Sequence, residues 1–237
     1  MNVVIMLLLV SFLTGCGLNI SKEPVYEIVQ KEDGRYLYID DIIYHQQTYG
    51  TGQRAETEVS ESGKYRWIFA KGIGETIGIY DSDSRTYAIH SIIGDENRNF
   101  LYSEIDGFHF GPLDSRVWLK NGVELGEPDT GTVSEITIED KDGEILKKIK
   151  DADRIKELLD AYENGNKIFQ PEKVEDWQLY TIALYHAQYP FLRYEIEGIF
   201  SPSRELAGCH NAYSKGQESI ELPEEWVKIF QSIKTKE

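Results

Sequence analysis

The sequence predicts an α+β protein: a β-rich N-terminal domain over 25–128, then an antiparallel sheet with helices on one side over 131–237. Three observations predict it. Short apolar runs between Val25 and Leu125 are separated by Gly, Asp, Ser and Asn clusters, the signature of several short strands. Turn formers and charge then interrupt the pattern at Gly126-Glu127-Pro128-Asp129-Thr130-Gly131. Helical periodicity appears only after Asp151.

In the first half, Tyr36 to Ile39 runs through Asp40-Asp41 into Ile42 to Tyr44, and Tyr65 to Phe69, Ile77 to Tyr80, Tyr87 to Ile93, Phe100 to Tyr102 and Val117 to Leu119 follow as strands. Gly72-Ile73-Gly74, Asp81-Ser82-Asp83-Ser84 and Gly94-Asp95-Glu96-Asn97 separate them, so a small sandwich or barrel is expected.

The second half reads ββαββ(β)α. Val133 to Ile138 and Ile145 to Ile149 flank Asp140-Lys141-Asp142-Gly143, a hairpin signal. Asp151 is a helix N-cap, because a short acidic side chain accepts from the free amides of the first turn. Ile155, Leu158, Leu159 and Tyr162 then form one apolar face, and Asn164-Gly165 stops the helix. Leu179 to His186 and Phe191 to Ile196 are strands joined through Gln188-Tyr189-Pro190. Ser201 to Gln217 is expected to be a long polar loop and Ser219 to Leu222 a last short strand. Pro223 suits the first position of a closing helix with Glu224 and Glu225 in its first turn and Trp226, Val227, Phe230 and Ile233 on one stripe.

Before all this lies the apolar run Val3 to Leu13, too short to span a bilayer and of signal-peptide length. Leu13-Thr14-Gly15-Cys16 closes it. That ending resembles the lipobox of bacterial lipoprotein precursors. The resemblance implies a signal peptide over 1–15, lipid on the sulfur of Cys16, a lipidated tether over 16–24 and residence on the extracytoplasmic face of the cell membrane. Met1-Asn2 departs from the pattern, since the leading segment carries no Lys or Arg. Two acyl chains suffice for stable attachment where one does not. Ile136-Thr137-Ile138, Ile149-Lys150-Asp151 before the Leu-rich helix, and Ile220 to Trp226 also resemble small uncharacterised domains in lipoproteins of Gram-positive bacteria; that likeness implies location and fold class and carries over no catalytic residue.

With 41 acidic against 25 basic residues the formal charge is −16, which excludes nucleic acid as a partner and leaves lipid, not a basic patch, to hold the chain at a membrane. Cys16 and Cys209 are the whole cysteine complement, so the fold forgoes internal disulfides. Fifteen tyrosines fit half-buried strands.

Chemistry-bearing patterns are sparse. Cys209-His210 supplies a thiol and an imidazole, but sequence neighbours rarely point at one another, so His186 or His109 would have to serve as base. The histidines show no metal-ligand spacing, and neither Asp81 to Ser84 nor Asp140 to Glu144 matches a calcium loop. Gly72 to Gly78 lacks a dinucleotide frame. No catalytic residue, metal or cofactor is implied. Arg204, Cys209, His210 and Tyr213, in the expected polar loop, are instead candidates for a binding surface. The resulting expectation is a lipid-anchored, non-enzymatic binding or interaction module facing an envelope protein or wall component. A small cell-envelope hydrolase, or a regulatory or protective lipoprotein that blocks another envelope protein, are the alternatives.

Overall fold

The computed structural model describes residues 24–31, 34–46, 58–59, 67–82, 84–105, 116–168, 176–211 and 219–233. Cys16, the signal segment, His109 and Tyr213 lie outside them. The described strands of the first half are β1 (Glu27–Lys31), β2 (Gly34–Ile39), β3 (Ile42–Gln46), β4 (Glu58–Val59), β5 (Trp67–Phe69), β6 (Ile73–Ser82), β7 (Arg85–Ile92), β8 (Phe100–Ile105) and β9 (Arg116–Lys120). The second half holds β10 (Val133–Glu139), β11 (Ile145–Ile149), α1 (Ala152–Asn164), β12 (Lys167–Ile168), β13 (Gln178–His186), β14 (Leu192–Ser201), β15 (Leu206–Asn211), β16 (Ser219–Glu221) and α2 (Glu224–Ser232).

Sixteen strands against two helices among these residues make the fold essentially all-β, which corrects the α+β expectation. Its physical origin is visible in the described part of the expected loop, 201–211. Leu206-Ala207-Gly208-Cys209-His210-Asn211 has little β-branched or aromatic character, yet it is a strand, because β14 and β16 offer it hydrogen-bonding edges on both sides. Two short helices remain, and they pack on a nine-stranded sheet rather than forming a layer of equal weight.

The first sheet has the order β1-β2-β3-β9-β8-β7-β6, antiparallel throughout. It curls until its edges meet: Val25 bridges Ile79 in parallel, with Tyr26 N–H donating to Ile79 O (2.8 Å) and Ile79 N–H to Pro24 O (2.9 Å). Strand alternation sends Leu37, Ile39, Tyr44, Tyr80, Ile89, Leu101 and Trp118 into one core. Ser103, fully buried among them, accepts from Trp118 Nε1 (2.9 Å) and bonds the Tyr80 hydroxyl (3.0 Å). Arg116 donates to the hydroxyls of Tyr80 and Tyr87 (3.1 Å each), so the interior polar groups satisfy one another.

The opposite faces of the same strands present Phe100, Tyr102, Val117 and Leu119 to a second, larger core shared with the nine-stranded sheet. That sheet runs β11-β10-β13-β14-β15-β16-β12, with β4 and β5 attached through β5 and β14 (Leu192↔Phe69, Arg193↔Ile68). Asp140 caps the β10–β11 turn as expected, accepting from the amides of Asp142 (2.9 Å) and Glu144 (2.8 Å). Asp151 accepts from Arg154 N–H (3.0 Å) and starts α1, whose Ile155, Leu158 and Leu159 are buried. Pro223 stands just before α2 in extended conformation rather than as its first helical residue. Phe230 of α2 approaches the sheet over Gly198, where a Cβ would meet Ile182 Cδ1 at 2.8 Å and Phe230 Cζ at 3.3 Å.

Residues 126–131 form a turn in which Asp129 Oδ1 accepts from Gly131 (2.7 Å) and Thr132 (2.8 Å). Pro128 is buried, and Trp67 Nε1 donates to Gly126 O (3.1 Å). The larger core takes residues from both sides of this turn.

Candidate functional site

Of the expected binding residues, Arg204, Cys209 and His210 lie among those described. Arg204 sits in the exposed 202–205 turn after β14. Cys209 and His210, consecutive on β15, point to opposite faces. Cys209 is fully buried in the larger core, and burial pushes its thiol up to about 12, the reverse of what a nucleophile needs. His186 is committed elsewhere: its Nε2 lies 2.9 Å from Leu125 O, and its Nδ1 faces the amides of Gln188 and Tyr189.

His210 faces the side of the nine-stranded sheet away from α1 and α2. Glu197 stands directly opposite on β14, its Oε1 3.4 Å from His210 Nε2, and Ser219 Oγ on β16 lies 3.4 Å from Nδ1. Hydroxyl, imidazole and carboxylate thus fall in the order of a nucleophilic triad. Two observations make it a structural rung instead. Ser219 has no exposed surface to meet a substrate. The same order recurs across β6, β7 and β8, where Thr76 Oγ1 lies 3.3 Å from His90 Nδ1 and Glu104 Oε1 3.6 Å from His90 Nε2, beyond hydrogen-bond length. Cross-strand neighbours meet in this way wherever polar residues share a sheet face.

On the same face Arg193 bridges two buried carboxylates. Its Nη1 lies 3.2 Å from Glu139 Oε2 and its Nη2 2.5 Å from Glu195 Oε1, while Thr137 donates to Glu139 Oε1 (2.7 Å). Glu139 is 4% exposed and Glu195 6%, so Arg193 is the counter-charge that makes their burial tolerable. Burial alone would lower the Arg193 proton affinity, but Glu195, Tyr185 and Glu139 outweigh it and the shift is upward.

One concave feature among the described residues is a groove of about 500 Å³ where the end of α1, the 165–166 turn, β16 and the start of α2 converge. Glu157, Asp160, Asn164, Asn166, Glu221 and Glu224 line it, over a floor that includes Ala161 and Leu222. Backbone bonds fix its shape: Gly165 N–H donates to Ala161 O (2.7 Å) and Glu221 N–H to Asn166 O (2.8 Å). Matched against known protein families, curated proteins and solved structures, the chain finds no counterpart.

The groove's chemistry therefore rests on its own residues. Three of its carboxylates are ion-paired: Glu157 with Arg154 (2.6 Å), Asp160 with Lys156, and Glu224 with Lys228 (3.1 Å). The last turn of α1 carries no basic residue, so the negative end of its dipole adds to the acidic lining. Among the described residues no group of three or more His, Cys, Asp or Glu is placed to hold a metal ion. The arrangement suits hydrogen bonding and cation recognition. Composition missed it, because its residues come from α1, the turn after it, β16 and the start of α2, and its polar ones each read in sequence as an ordinary solvated acid or amide.

Proposed function

We propose that this chain is a lipid-anchored, extracytoplasmic binding module that catalyses no reaction itself and takes a partner with exposed cationic groups, an envelope protein or an amine-bearing wall component. One observation carries the binding reading: the acidic groove between α1 and α2, whose volume of about 500 Å³ falls in the range of ligand sites. The buried thiol of Cys209 and the buried hydroxyl of Ser219 support a module without a nucleophile. Leu13-Thr14-Gly15-Cys16 supports the anchor, and no helix among the described residues is long and apolar enough to cross a membrane. Tethering raises the local concentration of the groove at the membrane, so modest affinity suffices.

The test is capture of envelope proteins and of purified peptidoglycan by the full chain, beside a variant carrying Asp160→Lys and Glu221→Lys. Retention by the parent that weakens with salt and is lost in the variant supports the reading. No retention by either, together with hydrolysis of wall fragments, overturns it.

A further inference from the structure

His186 ends β13 and is 3% exposed. Its Nε2, 2.9 Å from Leu125 O, must carry the hydrogen, because a carbonyl can only accept. Its Nδ1 lies 3.1 Å from the Gln188 amide and 3.2 Å from the Tyr189 amide, so it must be the acceptor. The surroundings therefore fix one neutral tautomer. The ring is packed 4.8 Å from Trp67 of β5 and 4.9 Å from Tyr189.

The turn that His186 organises touches the seven-stranded sheet through its aromatic rings. Tyr189 and Phe191 meet Phe100 of β8 edge-on at 5.2 and 5.5 Å, while Phe191 O accepts from Ala70 N–H (2.7 Å) and continues the β5–β14 pairing of its own sheet. We propose that His186 is an acid-operated latch: a proton taken up at Nδ1 expels the Gln188 and Tyr189 amides and releases the 187–191 turn from the seven-stranded sheet. A protonated Nδ1 is a donor facing two donors, and both amides lose their acceptor, that of Tyr189 in a buried place.

The groups packed around the ring come from β5, the 123–128 segment, the 129–132 turn and the turn after β13. Among the described residues on these elements, the charge acting on the ring is that of Asp129. Burial raises the Asp129 carboxyl, but bonds from Thr132 and Gly131 more than offset it, so it stays ionised through mild acid. For His186, burial lowers proton affinity, and the Leu125 bond and Asp129 only partly restore it. With the folded value below the ordinary 6.5, the latched state is at full strength above that pH. It weakens as pH falls below 6.5 towards the folded value, because the released ring binds the proton first.

The experiment is site-resolved amide hydrogen exchange on the full chain in detergent, corrected for the intrinsic rate, between pH 7.5 and 5. Exchange over 187–191 is expected to rise measurably as the pH falls through 6.5, while α1 stays protected. His186→Gln removes the pH dependence, and Asp129→Asn moves the midpoint to lower pH. Unchanged exchange over 187–191, acceleration spread evenly over the whole molecule, or the same pH dependence in His186→Gln overturns the latch. If His186→Gln does not fold, the direction of the midpoint shift in Asp129→Asn decides alone.

Discussion

Tyr26 lies over Gly78 so closely that a Cβ added to the glycine would sit 2.1 Å from Tyr26 Cε2. This contact stands beside the Val25–Ile79 bridge, so it belongs to the seam that brings the edges of the seven-stranded sheet together. Gly78→Ala should destabilise the protein by about 1–3 kcal/mol in denaturant unfolding, the usual consequence of overpacking. Pro24 O lies 2.9 Å from the same point, so Tyr26→Ala should recover only part of the loss. A loss fully restored by Tyr26→Ala would show that the backbone approach contributes nothing.

Arg193→Met should cost about 3–5 kcal/mol, because Glu139 and Glu195 keep their buried positions without a counter-charge. Chemical denaturation at neutral pH measures it. A change below about 1 kcal/mol would mean that the carboxylates reach water more freely than their surroundings indicate.

Cys209 should be inert to alkylation at neutral pH until the protein unfolds, given a thiol pushed up to about 12 by burial. The sign for stability follows from the same shift. Folded Cys209 stays protonated where the unfolded thiol ionises, so stability is intact below the unfolded value near 9 and declines as pH rises from there towards 12. Stoichiometric alkylation of the native chain within minutes at pH 7 would contradict this.

Phe230→Ala should cost about 3–5 kcal/mol, since the ring fills the space over Gly198 and packs on Phe200 (5.7 Å) and Tyr180 (5.1 Å). Thermal unfolding reads the loss, and a change under about 1 kcal/mol would show that the sheet closes over the vacated volume.

Residues 126–131 should resist limited proteolysis despite their linker-like composition, with the exposed 202–205 turn cut earlier. Pro128 is buried, and Gly126 and Leu125 are held by Trp67 and His186, so the backbone must open before a protease can seat it. Early cleavage beside Pro128 would refute this.

Local signals in the sequence located most of the regular elements. The Asp140 hairpin, the Asp151 cap and the stripes Ile155-Leu158-Leu159 and Trp226-Val227-Phe230 are local features, set within a few residues, and they appear in place. What sequence reading missed is held by distant partners. β15 is a strand because β14 and β16 flank it, and β5 leaves its neighbours to join β14. Cys209 and His210 looked like one loop constellation, and the pleat of that unrecognised strand is what parts them. The groove was illegible for a related reason, since no single element contains it.

The attachment of β5 to β14 also constrains how the molecule can be made. A chain emerging N-terminus first exposes Trp67-Ile68-Phe69 long before Leu192 and Arg193 exist to receive them. All three are buried in the finished protein, so during synthesis they form a hydrophobic strand awaiting its mate. The strand is closed by a contact of very large sequence separation, the kind of contact that slows folding.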